Sequence, residues 1–119
     1  RIGLLPAMPV KEAFAMANIV VVPSRAEAMP YIVLEALAAG KSLIATRVGG
    51  IPEVLGADSE ALVEPGNADD LARVMARAIT MPDWHGATMP EPEAFKARFS
   101  ASTMAAQMAE LYHERLART

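Results

Sequence analysis

Apolar residues along the chain fall into short runs broken by turn residues, and strand-like runs alternate with helix-like ones. Ile2 to Leu5 is an apolar run closed by Pro6 and reads as a strand; Val10, Phe14 and Ala17 then share one face of a helix over Val10 to Ala17. Ile19-Val20-Val21-Val22 is continuous and β-branched and stops at Pro23 and Ser24, the pattern of a strand buried on both faces of a parallel sheet. Such a strand needs a covering helix. Pro30 opens one that runs from Tyr31 to Ala39 and ends at Gly40. Ser42 to Thr46 is the next strand. Gly49-Gly50-Ile51-Pro52 is a tight loop opening a short helix to about Leu55, and Ala61 to Val63 is a last strand. From Asn67 onward the pattern is helical. Asn67 or Asp69 caps a helix to about Ile79, Pro82 to Pro92 is a proline-punctuated connection, and helices follow over Glu93 to Phe99 and Ser102 to about Ala117. Strands alternating with helices predict an α/β fold with a Rossmann-like parallel sheet.

Composition narrows what such a domain can do. With 119 residues, 53% of them hydrophobic and 21% charged, the chain has apolar material for one packed core. The net charge is −3 and the eleven basic residues are scattered, which argues against nucleic acid as a partner. There is no cysteine, so disulfides, thiolate metal sites and thiol nucleophiles are excluded together. His85 and His113 are too few and too far apart for a zinc site, and no metal is expected. The longest apolar runs fall far below the roughly 20 residues that span a bilayer. Arg1 opens directly into the first apolar run with no initiator methionine or signal peptide, which reads as a cut inside a longer protein.

Open α/β sheets bind ligands at the carboxyl ends of their strands, and the loop Ser24 to Pro30 lies at such an end. Backbone amides from about Tyr31 to Val33, in the first turn of the helix, would point toward an anion such as a diphosphate. Pro30 cannot donate. Glu27 lies in this loop and Glu35 eight positions later inside the helix. Taken alone, Glu27 is a solvating loop residue or a complement to the helix dipole, Arg25 a solvated loop residue, and Gly49-Gly50 a turn. A lone Glu on a helix is ordinarily an exposed one. Glu35, however, stands among Val33, Leu34, Ala36, Leu37 and Ala38, where an acidic side chain is costly without a task, and a carboxylate that binds hydroxyls accounts for it.

Together, these segments resemble a known family. Ser24-Arg25-Ala26-Glu27-Ala28-Met29-Pro30-Tyr31-Ile32-Val33-Leu34-Glu35-Ala36-Leu37-Ala38-Ala39-Gly40 looks like the Glu, seven residues, Glu signature of retaining GT-B glycosyltransferases of the glycogen-synthase-like, group 1 type. Lys41 to Leu55, with Gly49-Gly50, is similar to the strand and glycine loop that follow this signature, and Ala61 to Asn67 to the segment after that. The likeness covers residues 1 to 81 well and the rest loosely. Ala28-Met29-Pro30 departs from the Gly or Pro-Phe-Gly common after the first Glu, and Lys41-Ser42 from the usual small or apolar residue and Pro.

The resemblance implies a truncated C-terminal half of a GT-B fold, with residues 1–119 forming part of a donor-binding domain whose upstream strands and N-terminal acceptor domain lie elsewhere. By this likeness Glu27 is the catalytic carboxylate against the donor sugar and Glu35 binds the ribose hydroxyls. The amides of Tyr31, Ile32 and Val33 would hold the diphosphate without a metal or other cofactor. The partners implied are a nucleotide-sugar donor and an acceptor of unspecified class. The full-length protein is expected in the cytoplasm or peripherally at the inner face of the membrane, and the lack of cysteine permits a reducing compartment. Residues 1–119 alone are expected to be inactive, and to self-associate through the orphaned strand edge or the last helix unless Ile2 to Leu5 shifts in beside Ile19 to Val22. Two other readings stand beside the transferase: a non-catalytic sugar-nucleotide-binding module and a GT-B-type sugar-nucleotide epimerase.

Overall fold

The structure, a computed structural model, describes residues 2–118 and divides into two units, Arg1–Met89 and Pro90–Thr119. In the first unit α1 (Val10–Met16) precedes β1 (Ile19–Val22), α2 (Tyr31–Ala38), β2 (Ser42–Thr46), α3 (Ile51–Leu55), β3 (Leu62–Val63), α4 (Ala68–Thr80) and α5 (Trp84–Thr88). The three strands form one parallel sheet in the order β1-β2-β3, with Ile19 opposite Ser42, Val22 opposite Ala45 and Ala45 opposite Leu62. This is the α/β, Rossmann-like sheet that the alternating pattern predicts.

Burial differs between the strands. All five residues of β2, the central strand, are buried, as are both residues of β3, whereas Ile19, Val20 and Val21 of β1 are only half-buried. Val33 and Ala36 of α2, Ile51, Val54 and Leu55 of α3, and Val74 and Ala78 of α4 complete the core. In α4 the two buried positions lie four apart, so one helical stripe faces inward. Asn67 caps that helix, its Oδ1 accepting from the Asp70 N–H at 2.9 Å.

Two expectations fail here. Ile2 to Leu5 is not a strand: among the described residues no regular element precedes Val10, and Ile2 and Leu4 are 98% and 97% exposed. A β-branched or leucine-rich run gains nothing from an extended conformation without a neighbour to complete its hydrogen bonds, and among the described residues none is paired with it, beside Ile19 to Val22 or elsewhere. Pro82 to Pro92 is not merely a connection either. It contains α5, whose Asp83 cap accepts from the Gly86 N–H at 3.0 Å and whose Trp84 is buried. Near α5 the amino end of β2 is covered: Ser42 Oγ lies 3.0 Å from His85 Nδ1, and the Leu43 N–H points at Met89 Sδ at 3.3 Å.

The second unit is a pair of helices, α6 (Pro92–Phe99) and α7 (Ala101–Ala117). Ser100 ends the first and caps the second, accepting from the Thr103 N–H at 3.2 Å. Phe95 and Phe99 stack obliquely with ring centroids 5.5 Å apart. Met104, Met108, Leu111 and Leu116 are exposed along α7. No helix among the described residues is long and apolar enough to cross a membrane.

Candidate functional site

Pro23 ends β1 because proline has no N–H to give the ladder. The register that sets Val22 against Ala45 would set Pro23 against Thr46. There the Thr46 hydroxyl takes over as donor, reaching the Ser24 carbonyl oxygen at 2.5 Å. One rung is thus added beyond the backbone ladder, and the loop Ser24 to Pro30 leaves the carboxyl end of the sheet from a fixed point. Ser24 then turns its own hydroxyl to Glu27, donating to Oε1 at 2.7 Å.

The glycine loop after β2 closes on the same segment. The Gly50 N–H donates to the Ala28 carbonyl at 2.7 Å, and a β-carbon built on Gly49 would stand 2.0 Å from the Glu27 carbonyl oxygen. Gly49 holds φ +51, and the Met29 side chain lies against Gly50. The sequence alone presents Gly49-Gly50 as a turn; in the fold the pair is the seat of the Glu27 loop. Ala28 and Met29, two of the three residues that depart from the usual glycine-bearing pattern, supply the carbonyl and the side chain that meet it.

Helix α2 carries the other candidates. Tyr31, Glu35 and Ala38 share its exposed strip, with Val33 and Ala36 facing the core, so Glu35 is solvent-facing and not buried among its apolar neighbours. Its carboxylate has no hydrogen bond or ion pair among the described residues, and Tyr31 is 75% exposed. Of the amides expected to be open, that of Val33 is engaged, donating to the Pro30 carbonyl at 3.1 Å. Those of Tyr31 and Ile32 have no backbone acceptor among the described residues.

A depression of about 220 Å³ lies beside these loops, lined by Pro23 and Arg25 after β1, Thr46 at the end of β2, and Val63, Glu64 and Asn67 after β3. Glu27 and Glu35 do not line it. Arg25, which the sequence alone presents as a solvated residue, is exposed and forms part of its wall. Glu64 pairs with Arg47 at 3.2 Å on the same side of the sheet. Among the described residues no group of three His, Asp or Glu side chains is placed to hold a metal ion.

Known proteins are similar to this chain in sequence and fold. The family described as glycosyl transferases group 1 matches residues 1–81. D-inositol 3-phosphate glycosyltransferase of Streptosporangium roseum is 33% identical over 115 residues, which is 93% of this chain and 26% of that protein. Sulfoquinovosyl transferase SQD2 of Arabidopsis thaliana is 35% identical over 72 residues, 57% of this chain and 14% of that one. Among solved structures, sucrose-phosphate synthase from Thermosynechococcus elongatus superposes with a TM-score of 0.73 at 31% identity, over 90% of this chain and 27% of that chain. This chain therefore spans about a quarter or less of the length of such relatives. Its parallel α/β sheet is that of a GT-B domain, and the chain belongs to the group 1 glycosyl transferases.

Proposed function

We propose that this chain is the donor-binding part of a retaining glycosyltransferase, which transfers a sugar from a nucleotide-sugar donor to an acceptor. The observation that carries the proposal is the seating of Glu27: Ser24 and the Gly49-Gly50 loop hold it at the carboxyl end of the parallel sheet, the end at which open α/β sheets take their ligands. In this reading Glu27 faces the donor sugar and Glu35 accepts from the ribose hydroxyls. The Tyr31 and Ile32 amides face the diphosphate, with Val33 contributing through the backbone turn it closes with Pro30. The role of these groups is to orient the donor and stabilise charge as the sugar leaves the diphosphate, with no metal required. Residues 1–119 by themselves hold only part of such a site and are inactive in transfer.

Titrating UDP-glucose, UDP-N-acetylglucosamine and GDP-mannose into the full-length protein, with and without acceptor, tests this. Binding with turnover supports a transferase; binding without turnover supports a non-catalytic module; interconversion of sugars with no acceptor supports an epimerase. In the transferase, Glu35→Ala weakens nucleotide binding and Glu27→Ala depresses turnover more than affinity. The expected cost is about 2–5 kcal/mol, at about 1.5–3 kcal/mol for each hydrogen bond to a charged group. Wild-type kinetics in both variants would refute the assignment.

A further inference from the structure

We infer that Ser24 and Thr46 are positioning residues that fix which oxygen of Glu27 is presented to the donor; this rests on the donor-site reading above. An exposed glutamate in a loop can rotate freely, and its two oxygens are chemically equivalent until something distinguishes them. Here Ser24 Oγ donates to Oε1 at 2.7 Å, which distinguishes the two oxygens and leaves Oε2 without a hydrogen bond among the described residues. Ser24 is itself held. Its carbonyl accepts from the hydroxyl of Thr46, which is 3% exposed at the end of the fully buried β2. The Glu27 carbonyl abuts Gly49, three residues beyond Thr46. The fully buried strand β2 and the glycine loop after it thus fix the Glu27 segment at two points, the Thr46 hydroxyl at the Ser24 carbonyl and Gly49 at the Glu27 carbonyl. Arg25 and Ala26, between Ser24 and Glu27, are exposed and contribute nothing to this chain of contacts.

The test compares Ser24→Ala, Ser24→Thr, Thr46→Val and Glu27→Gln in the full-length transferase carrying this chain, following release of UDP or GDP from UDP-glucose or GDP-mannose. A hydrogen bond to a partly solvated carboxylate corresponds to about a five- to tenfold change in rate. Ser24→Ala is expected to lower kcat by about that factor while KM for the donor changes less than about twofold, and Ser24→Thr, which keeps the hydroxyl, to restore most of the rate. Thr46→Val keeps the buried volume and loses only the donor, and is expected to lower kcat in the same direction by less. Ser24→Ala combined with Glu27→Gln should be no slower than Glu27→Gln alone. If Glu27→Gln is impaired and Ser24→Ala is not, or if Ser24→Thr is as slow as Ser24→Ala, the positioning role is overturned while the donor site stands. Wild-type turnover in Glu27→Gln overturns both.

Discussion

Gly40 and Gly49 both hold positive φ, yet a methyl group at the two positions would meet different surroundings. At Gly40, with φ +68, nothing lies within 4 Å of an added β-carbon. At Gly49, with φ +51, the Glu27 and Ala28 carbonyl oxygens stand 2.0 and 2.7 Å away. Gly40→Ala is therefore expected to cost only the left-handed backbone penalty, about 1–2 kcal/mol. Gly49→Ala adds a displacement of the Glu27 peptide, so it should cost more in a denaturant melt and, under the proposed function, also slow turnover in the full-length protein, which Gly40→Ala should not. Asp70 makes a second residue-scale case. The Glu64 N–H, donating to its carboxylate at 3.0 Å, and the Arg73 guanidinium hold its pKa below the ordinary 3.8. A depressed folded pKa contributes stability above the unfolded value that is lost as pH falls through the folded one. Asp70→Asn should thus flatten the stability profile below about pH 4 in acid-titrated melts, and leave its slope at neutral pH unchanged. The Glu27 to Glu35 spacing is legible in the sequence as part of a specific signature. Thr46 is not, because its task exists only once Pro23 is set opposite it.

Among the elements, α5 shows where pattern reading stops. It has five residues and lies between prolines, too short for a helical period to show, and its one local cue is an aspartate three residues before Gly86. Its contribution comes from packing: Trp84 is 4% exposed, and its indole Nε1 is buried with no hydrogen-bond partner among the described residues. An unpartnered buried N–H is a cost without return, so Trp84→Phe is expected to change stability by less than about 1.5 kcal/mol in either direction, although it shortens the ring system. Trp84→Ala should cost about 3–5 kcal/mol. Equal losses in thermal melts of the two variants would show that the N–H has a role. The opposite error, at Ile2 to Leu5, has the complementary cause: apolar composition marks a strand but cannot supply its neighbour. Ser42 to Thr46 is legible to the residue because it is bounded by Gly40-Lys41 and Arg47 and packed on every side.

At the scale of the molecule, the sheet is asymmetric. β1 and β3 flank β2 and each pairs with it alone among the described residues; β3 is two residues long and buried, whereas β1 leaves an uncharged edge that is half-buried over Ile19 to Val21. Such an edge is a template for pairing. Residues 1–119 by themselves are expected to sediment as a self-associated species at micromolar concentration, and Val21→Lys, which places a charge on the edge strand, to shift them toward monomer. A monomer with the natural sequence would show that the edge is protected in solution.

The hydrogen bond from Thr46 to Ser24 joins residues 22 positions apart. It cannot form within any local turn, only after the intervening helix has folded back and the two strands have come side by side. The loop that bears Glu27 is consequently ordered late, by the same step that zips the strands together. Amide exchange at Ser24 to Ala28 should then open with the β1–β2 pairing and not ahead of it, so that any loosening of that seam reaches the Glu27 carboxylate at once.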